Sequence, residues 1–237
     1  MLFVAALALI GNYVFYLLGV QHTSPGNAQL LIQLAPLLMA LGGIFVFGES
    51  YKPAQWAGLG VIVLGLVLFF REQLAHAASG HAYALGSALV VVAAIVWALY
   101  ALLQKQLLTR LDSASIQLFI YALAAVLLLP LAQPSELLAL DAKHAWLLAF
   151  CSINTLVAYG AFAEALAHWQ ASRVSAILAV TPLLSLGTIA LLHSLWPASV
   201  AAESVGVVGY AGAVLVVVGS AMCSLLGNSK PVVVEES

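Results

Sequence analysis

The chain has 237 residues, of which 64% are hydrophobic and 7% charged, with a net charge of −2 and a mean hydropathy of +1.11. Soluble domains carry about 25% charged residues, so this chain cannot clothe a water-facing surface and lipid is its expected solvent. No basic field points to nucleic acid. The two cysteines, Cys151 and Cys223, lie in separate apolar segments, which argues against a disulfide framework or a cysteine metal site.

Eight segments suit a span of about 20 apolar residues: 1–20, 27–48, 54–70, 83–104, 114–132, 145–168, 173–195 and 205–226. The first has no basic leader and no small-residue cleavage site, so it reads as a retained membrane helix rather than a signal peptide. Breaks rich in Pro, Gly, Ser and Asn separate the segments, such as QHTSPGN, ESYKPAQ and HWQASR. The residues from 229 to the end read as a disordered tail. The segments are too long for barrel strands and do not alternate. The predicted fold class is therefore an all-α integral membrane bundle. Lys52, Lys105, Arg110, Arg173 and Lys230 fall on the side of both termini, against Arg71 and Lys143 on the other. The excess of basic residues predicts cytoplasmic termini.

Several residues within the spans invite a role. Tyr13 and Asn12 lie in the first, with Asn154 and Tyr159 similar polar points in the sixth; each either lines a cavity or bonds across helices. Gln29 and Gln33 sit one turn apart and lead to Pro36, which removes a backbone donor in mid-span. Cavity lining and interhelical bonding are both open for the two glutamines. Glu49 reads as a helix-end residue facing cytoplasmic water. Trp97, Tyr100 and Gln104 form one stripe at helical spacing, either an aromatic wall with a polar tip or ordinary packing. Glu164, one turn before His168, is an acid within a span and a candidate for proton carriage or substrate binding, unless it snorkels from the helix end. Pro182 repeats the mid-span interruption, with Thr181 beside it to satisfy the helix backbone.

A shift of 146 residues places Tyr13 on Tyr159, His22 on His168 and Pro36 on Pro182. A shift of 154 then pairs Gly58 with Gly212 and Gly65 with Gly219. The loops at the matched positions fall on opposite sides, so the two units are expected to be inverted. Residues 1–76 then form an incomplete first unit of three helices, and 77–228 a second of five. The start of the second unit projects back to position −63, so a complete first unit needs two further helices ahead of Met1. Paired interruptions in inverted units mark transporter substrate sites.

The stretch YLLGVQHTSPGNAQLLIQLAPLLMALGGIFVFGESYKPAQWAGLGVIVLGLVLFF resembles the EamA-type half of drug/metabolite transporters. Its features are the Tyr-rich helix, the Thr-Ser turn, the Ala-Pro mid-helix, the Gly-Glu helix end and Gln-Trp-x-Gly. The run from VWALYALLQKQLL through VTPLLSLGTIALL to GYAGAVLVVVG resembles the other half, but has HSLW where the first has Gly-Glu. The resemblance implies two inverted five-helix repeats around a central cavity that opens alternately to either side. It implies a bacterial inner-membrane transporter of small metabolites, with no cofactor, a proton as one coupling ion and a homodimer left open. Two other readings use the same residues. One is a truncated, non-transporting fragment. The other is an integral-membrane enzyme, which needs a polar catalytic cluster at one membrane face; none is visible in the sequence. The topology is directly testable: cysteines placed at residues 21–27 should react with an impermeant maleimide from outside the cell only, and labelling from inside would reverse the orientation.

Overall fold

The computed structural model describes residues 1–77, 81–137, 139–178, 180–197 and 206–225, and the described residues are helical apart from short connections. In chain order the helices are α1 (Leu2–His22), α2 (Pro25–Leu31), α3 (Leu34–Phe47), α4 (Pro53–Ala77), α5 (His81–Leu107) and α6 (Ser113–Leu128). After a 3₁₀ turn at Leu129–Leu131 come α7 (Pro134–Leu137), α8 (Ala142–His168), α9 (Ala171–Leu178), α10 (Thr181–Leu195) and α11 (Val207–Leu225).

Large apolar side chains cover the outside. Phe45, Leu118, Val126 and Trp146 are each between 68% and 77% exposed. A continuous apolar exterior of this kind is stable against lipid, not water. Among the described residues, five stretches are long and apolar enough to cross a membrane, Leu2–His22, Asn27–Phe47, His81–Leu107, Ser113–Leu131 and Ala142–His168, with shorter apolar helices at Pro53–Leu68 and Val207–Cys223. The eight expected spans are therefore not all single long helices: 27–48 divides into α2 and α3, and 173–195 into α9 and α10. The predicted tail lies outside the described residues.

Both divisions have a backbone cause. Pro36 has no N–H to give the carbonyl of Ile32, and Ala35 N takes that carbonyl instead at 2.9 Å, a tighter turn that ends α2. Pro182 likewise leaves the carbonyl of Leu178, and Thr181 Oγ1 donates to it at 2.6 Å. The backbone satisfaction expected of Thr181 is what its hydroxyl provides.

Polar caps close the helix ends away from the apolar layer. Asp112 accepts from Ser115 N at 2.8 Å and Ser115 Oγ at 2.7 Å to start α6; these bonds hold its carboxyl below the usual range. Asp141 starts α8 in the same way through His144 N, with the same lowering.

Two helix pairs dominate the packing, α4 with α11 and α1 with α5. Their contacts are made by small residues, because association in lipid depends on close backbone approach. A Cβ added at Gly58 would stand 2.8 Å from Gly219 O, and one at Gly65 would stand 2.6 Å from Gly212 O. In α1, Ala5, Ala6, Ala8 and Asn12 are buried, and Asn12 Nδ2 donates to Ala93 O of α5 at 3.0 Å. Gly65→Val should therefore force α4 and α11 apart and destabilise the bundle by about 1–3 kcal/mol. Thermal unfolding of the purified protein in detergent checks this, with the outward-facing Gly60→Val, which meets nothing within 4 Å, as the control.

Candidate functional site

The interrupted helices meet at one cavity of about 270 Å³. Asn12, Tyr13 and Tyr16 enter it from α1, Gln29, Ile32, Gln33, Ala35 and Pro36 from the α2–α3 break, Trp97 from α5, Tyr159 from α8, and Leu178 and Thr181 from the α9–α10 break. None of these lining residues is an acid or a base. The wall is aromatic. The rings of Tyr13 and Tyr159 lie 5.8 Å apart, centroid to centroid, and Trp97 stacks at 5.1 Å on Phe162, which stands behind the lining. Aromatic pairs at these separations are rigid and present flat apolar faces with polar tips.

Gln33 is 4% exposed, and its amide nitrogen makes a long 3.4 Å bond to Gln29 O. Its Oε1 has no partner among the described residues. An unpaired acceptor at the edge of a cavity is a ready partner for a ligand donor.

Of the residues expected at the site, Tyr13, Gln29, Gln33, Pro36, Trp97, Tyr159 and Thr181 line this cavity. Tyr100 and Gln104 do not. Tyr100 is fully buried one turn behind Trp97, where its hydroxyl donates to Gln117 Oε1 at 3.2 Å and its ring lies 6.2 Å from Tyr159. Gln104 is fully buried too, and neither amide atom has a partner among the described residues. The stripe is real, but only its first member reaches the cavity. Pro182 sits in the first turn of α10, and its ring lies outside the described side chains.

Glu164 is elsewhere. The buried side of α8 carries Phe162 and Leu166, so Glu164, two residues from each, points the other way. Its side chain is 60% exposed, its Oε2 accepts from Ser113 Oγ at 2.7 Å, and its Oε1 faces His168 Nδ1 at 3.5 Å. It ties the end of α8 to the start of α6 and is no part of the cavity. Glu49 corrects the expectation of a simple water-facing end: its carboxylate accepts from Ala171 N at 2.8 Å and Ser172 N at 3.0 Å, capping α9.

Sequence reasoning missed Tyr16, Ile32, Ala35 and Leu178 as lining residues. Tyr16 was visible as the next turn after Tyr13. The other three flank the two prolines, and apolar residues in an apolar run carry no mark of their own.

The profile of the EamA-like transporter family matches residues 1–71 and 84–225. The inner membrane transporter YhbE of Escherichia coli (strain K12) is 39% identical over 229 residues, covering 96% of this chain and 71% of that protein. A probable amino-acid metabolite efflux pump of the same organism is 23% identical over 70% of this chain and 59% of its own length. A crystal structure of a protein with 21% identity superposes with a TM-score of 0.65 over 94% of this chain and 77% of that one, a likeness of fold alone.

Substitution separates the two buried amides. Asn12→Leu breaks the bond to Ala93 O and should cost about 1 kcal/mol, whereas Gln33→Leu removes an acceptor with no partner and should leave stability unchanged or raised. Paired thermal unfolding curves in detergent measure both.

Proposed function

This chain belongs to the EamA-like transporter family, an integral inner-membrane transporter of small metabolites, and we propose that its cargo passes through the aromatic cavity by alternating access. The observation that carries the reading is the cavity itself: two proline-interrupted helices meet there, and its lining is aromatic and polar without a charge.

The cargo is a small amphipathic metabolite of zero net charge, such as a neutral amino acid. About 270 Å³ suits a molecule of that size. A net charge would lie among uncharged groups and lose its hydration without a counter-ion. Trp97, Tyr13 and Tyr159 offer flat apolar faces, and Gln33 Oε1 an acceptor. The similarity to a probable amino-acid metabolite efflux pump supports this class.

The moving parts are two inverted units related by an axis in the membrane plane. Three observations support that axis. Tyr13 and Tyr159, 146 residues apart, pack ring against ring in the cavity wall. Ile32 with Leu178 and Ala35 with Thr181 have the same separation and line the same space. Gly58 and Gly65 pair with Gly219 and Gly212, the crossed arrangement that a two-fold axis demands of positions matched at a shift of 154. The axis also relates α1, which packs on α5, to α8, where the matching Cys151, Ser152 and Ala158 are exposed. That stripe is the surface left for a helix related to α5.

Proteoliposomes loaded with neutral amino acids test the proposal by counterflow of labelled phenylalanine. Trp97→Ala should lower the rate about ten-fold or more, the loss of roughly 1.4 kcal/mol of ring contact, with the protein still monodisperse in detergent. Rates equal to protein-free vesicles across a neutral amino-acid panel, or a preference for lysine or glutamate, would overturn it.

A further inference from the structure

The chain turns sharply between α8 and α9, exposing helix ends of opposite sign at residues 166–172. The last carbonyls of α8 carry partial negative charge, and Lys105 Nζ from α5 donates to Leu166 O at 2.8 Å and Trp169 O at 2.6 Å. The first amides of α9 carry partial positive charge, and both Glu49 oxygens accept from them. Each charge meets the helix end that favours it.

The placement of Glu49 is built in. Gly48 adopts φ 66°, the left-handed region, and Glu49 N bonds back to Gly43 O at 3.1 Å, closing α3. That turn swings the carboxylate over Gly43, where an added Cβ would lie 2.6 Å from Oε2 and 3.2 Å from Ser172 N. Beside Glu49 and Lys105 a second cavity of about 550 Å³ opens, lined also by Gln106 and Gln170.

What this corner closes follows from the helices below it. In α1, α3, α5, α8 and α9, the turn next to the aromatic cavity in the direction of Glu49 enters one buried apolar cluster: Leu9, Met39, Tyr100, Phe162 and Val174 are all in it, and so is Ala171 at the corner. In the other direction α8 adds nothing to such a cluster: its buried residues, Phe162, Ala163 and Leu166, all lie toward the Glu49 end. The described bonds at the matching corner between α1 and α2 are neutral: Thr23 Oγ1 to Gly19 O at 3.0 Å, Asn27 N to Ser24 Oγ at 3.1 Å and Asn27 Nδ2 to Ser87 Oγ at 3.1 Å.

We propose that Glu49 and Lys105 form a charged latch on the α8–α9 corner that holds the cavity shut toward their end of the molecule. They act as positioning residues: neither touches the cavity, and both set which way it opens. Opening toward that end withdraws α9 from Glu49 and parts the apolar cluster beneath. The inference rests on the cavity reading above.

The test is the sidedness of labelling at Gln29→Cys, a cavity position, in a Cys151→Ser background with Cys223 left buried. An impermeant maleimide is applied to vesicles of each orientation. The parent should react at least about ten-fold faster from the face opposite Glu49, and Glu49→Gln should raise the rate from the Glu49 face about five-fold or more. Gly43→Ala should do the same: its methyl displaces the carboxylate without removing charge, although alanine favours a helix. Lys105→Met should also raise it, and Lys105→Arg keep the parent ratio. If Glu49→Gln fails to fold, Gly43→Ala decides. An unchanged ratio in well-folded variants, or equal labelling from both faces in the parent, would overturn the latch while leaving the cavity. No labelling from either face would overturn the cavity reading and the latch with it.

Discussion

A peptide group left unpaired in hydrocarbon has nothing to bond to, and this constraint governs where the chain can be interrupted. Pro36 and Pro182 each cancel one helical bond. The freed carbonyls do not face lipid. Ile32 O finds Ala35 N, Leu178 O finds Thr181 Oγ1, and both residues border the cavity. Interruption and cavity are one feature seen from two sides. The bundle supplies a place away from lipid where broken backbone is tolerated, and the breaks supply the space.

This explains how much of the site the sequence disclosed. Proline in an apolar run is a visible anomaly, and so are glutamine and tyrosine at membrane depth. Tyr13, Gln29, Gln33, Pro36 and Tyr159 all carry that mark, and all line the cavity. Spacing along one helix says which residues share a face but not which face turns inward. Gln104 shares the face of Trp97 yet is buried in the packing behind it, and Glu164 turned out to lie on the outer side of its helix. The Glu49 cap joins residues 122 apart, a contact with no trace in local pattern. Gly48 after an apolar helix marks the turn, but nothing in it names α9 as the destination. Two of the expected spans hide a break for a related reason: composition measures apolar length and ignores the break within it.

The charges of the interior are placed with equal economy. Lys105 and Glu49 sit at one end, each against a helix terminus. Both groups are only partly buried and remain beside a wide cavity, which eases the cost of desolvation. The described lining of the aromatic cavity holds none. Two ends that are otherwise related in pattern therefore differ in their described bonds: charged side chains hold one corner, hydroxyls and amides the other. Under the proposed alternating access, two equal closures would leave no preferred resting state, and the proposed latch would supply one.

An uncharged cavity still need not be electrically blank. The α2–α3 and α9–α10 breaks each place the end of one helix beside the start of the next. The starts of α3 and α10 carry partial positive charge, and the ends of α2 and α9 partial negative charge. A molecule with one group of each sign and no net charge can meet both within the same space, using main-chain dipoles instead of side-chain ions. A net anion or cation would satisfy one set and leave the other opposed. Prolines that open the helices thus do more than make room: they set dipoles of opposite sign beside the aromatic walls. Under the proposed function, selectivity for zero net charge would follow from the backbone, and selectivity for a particular side chain from Trp97, Tyr13 and Tyr159.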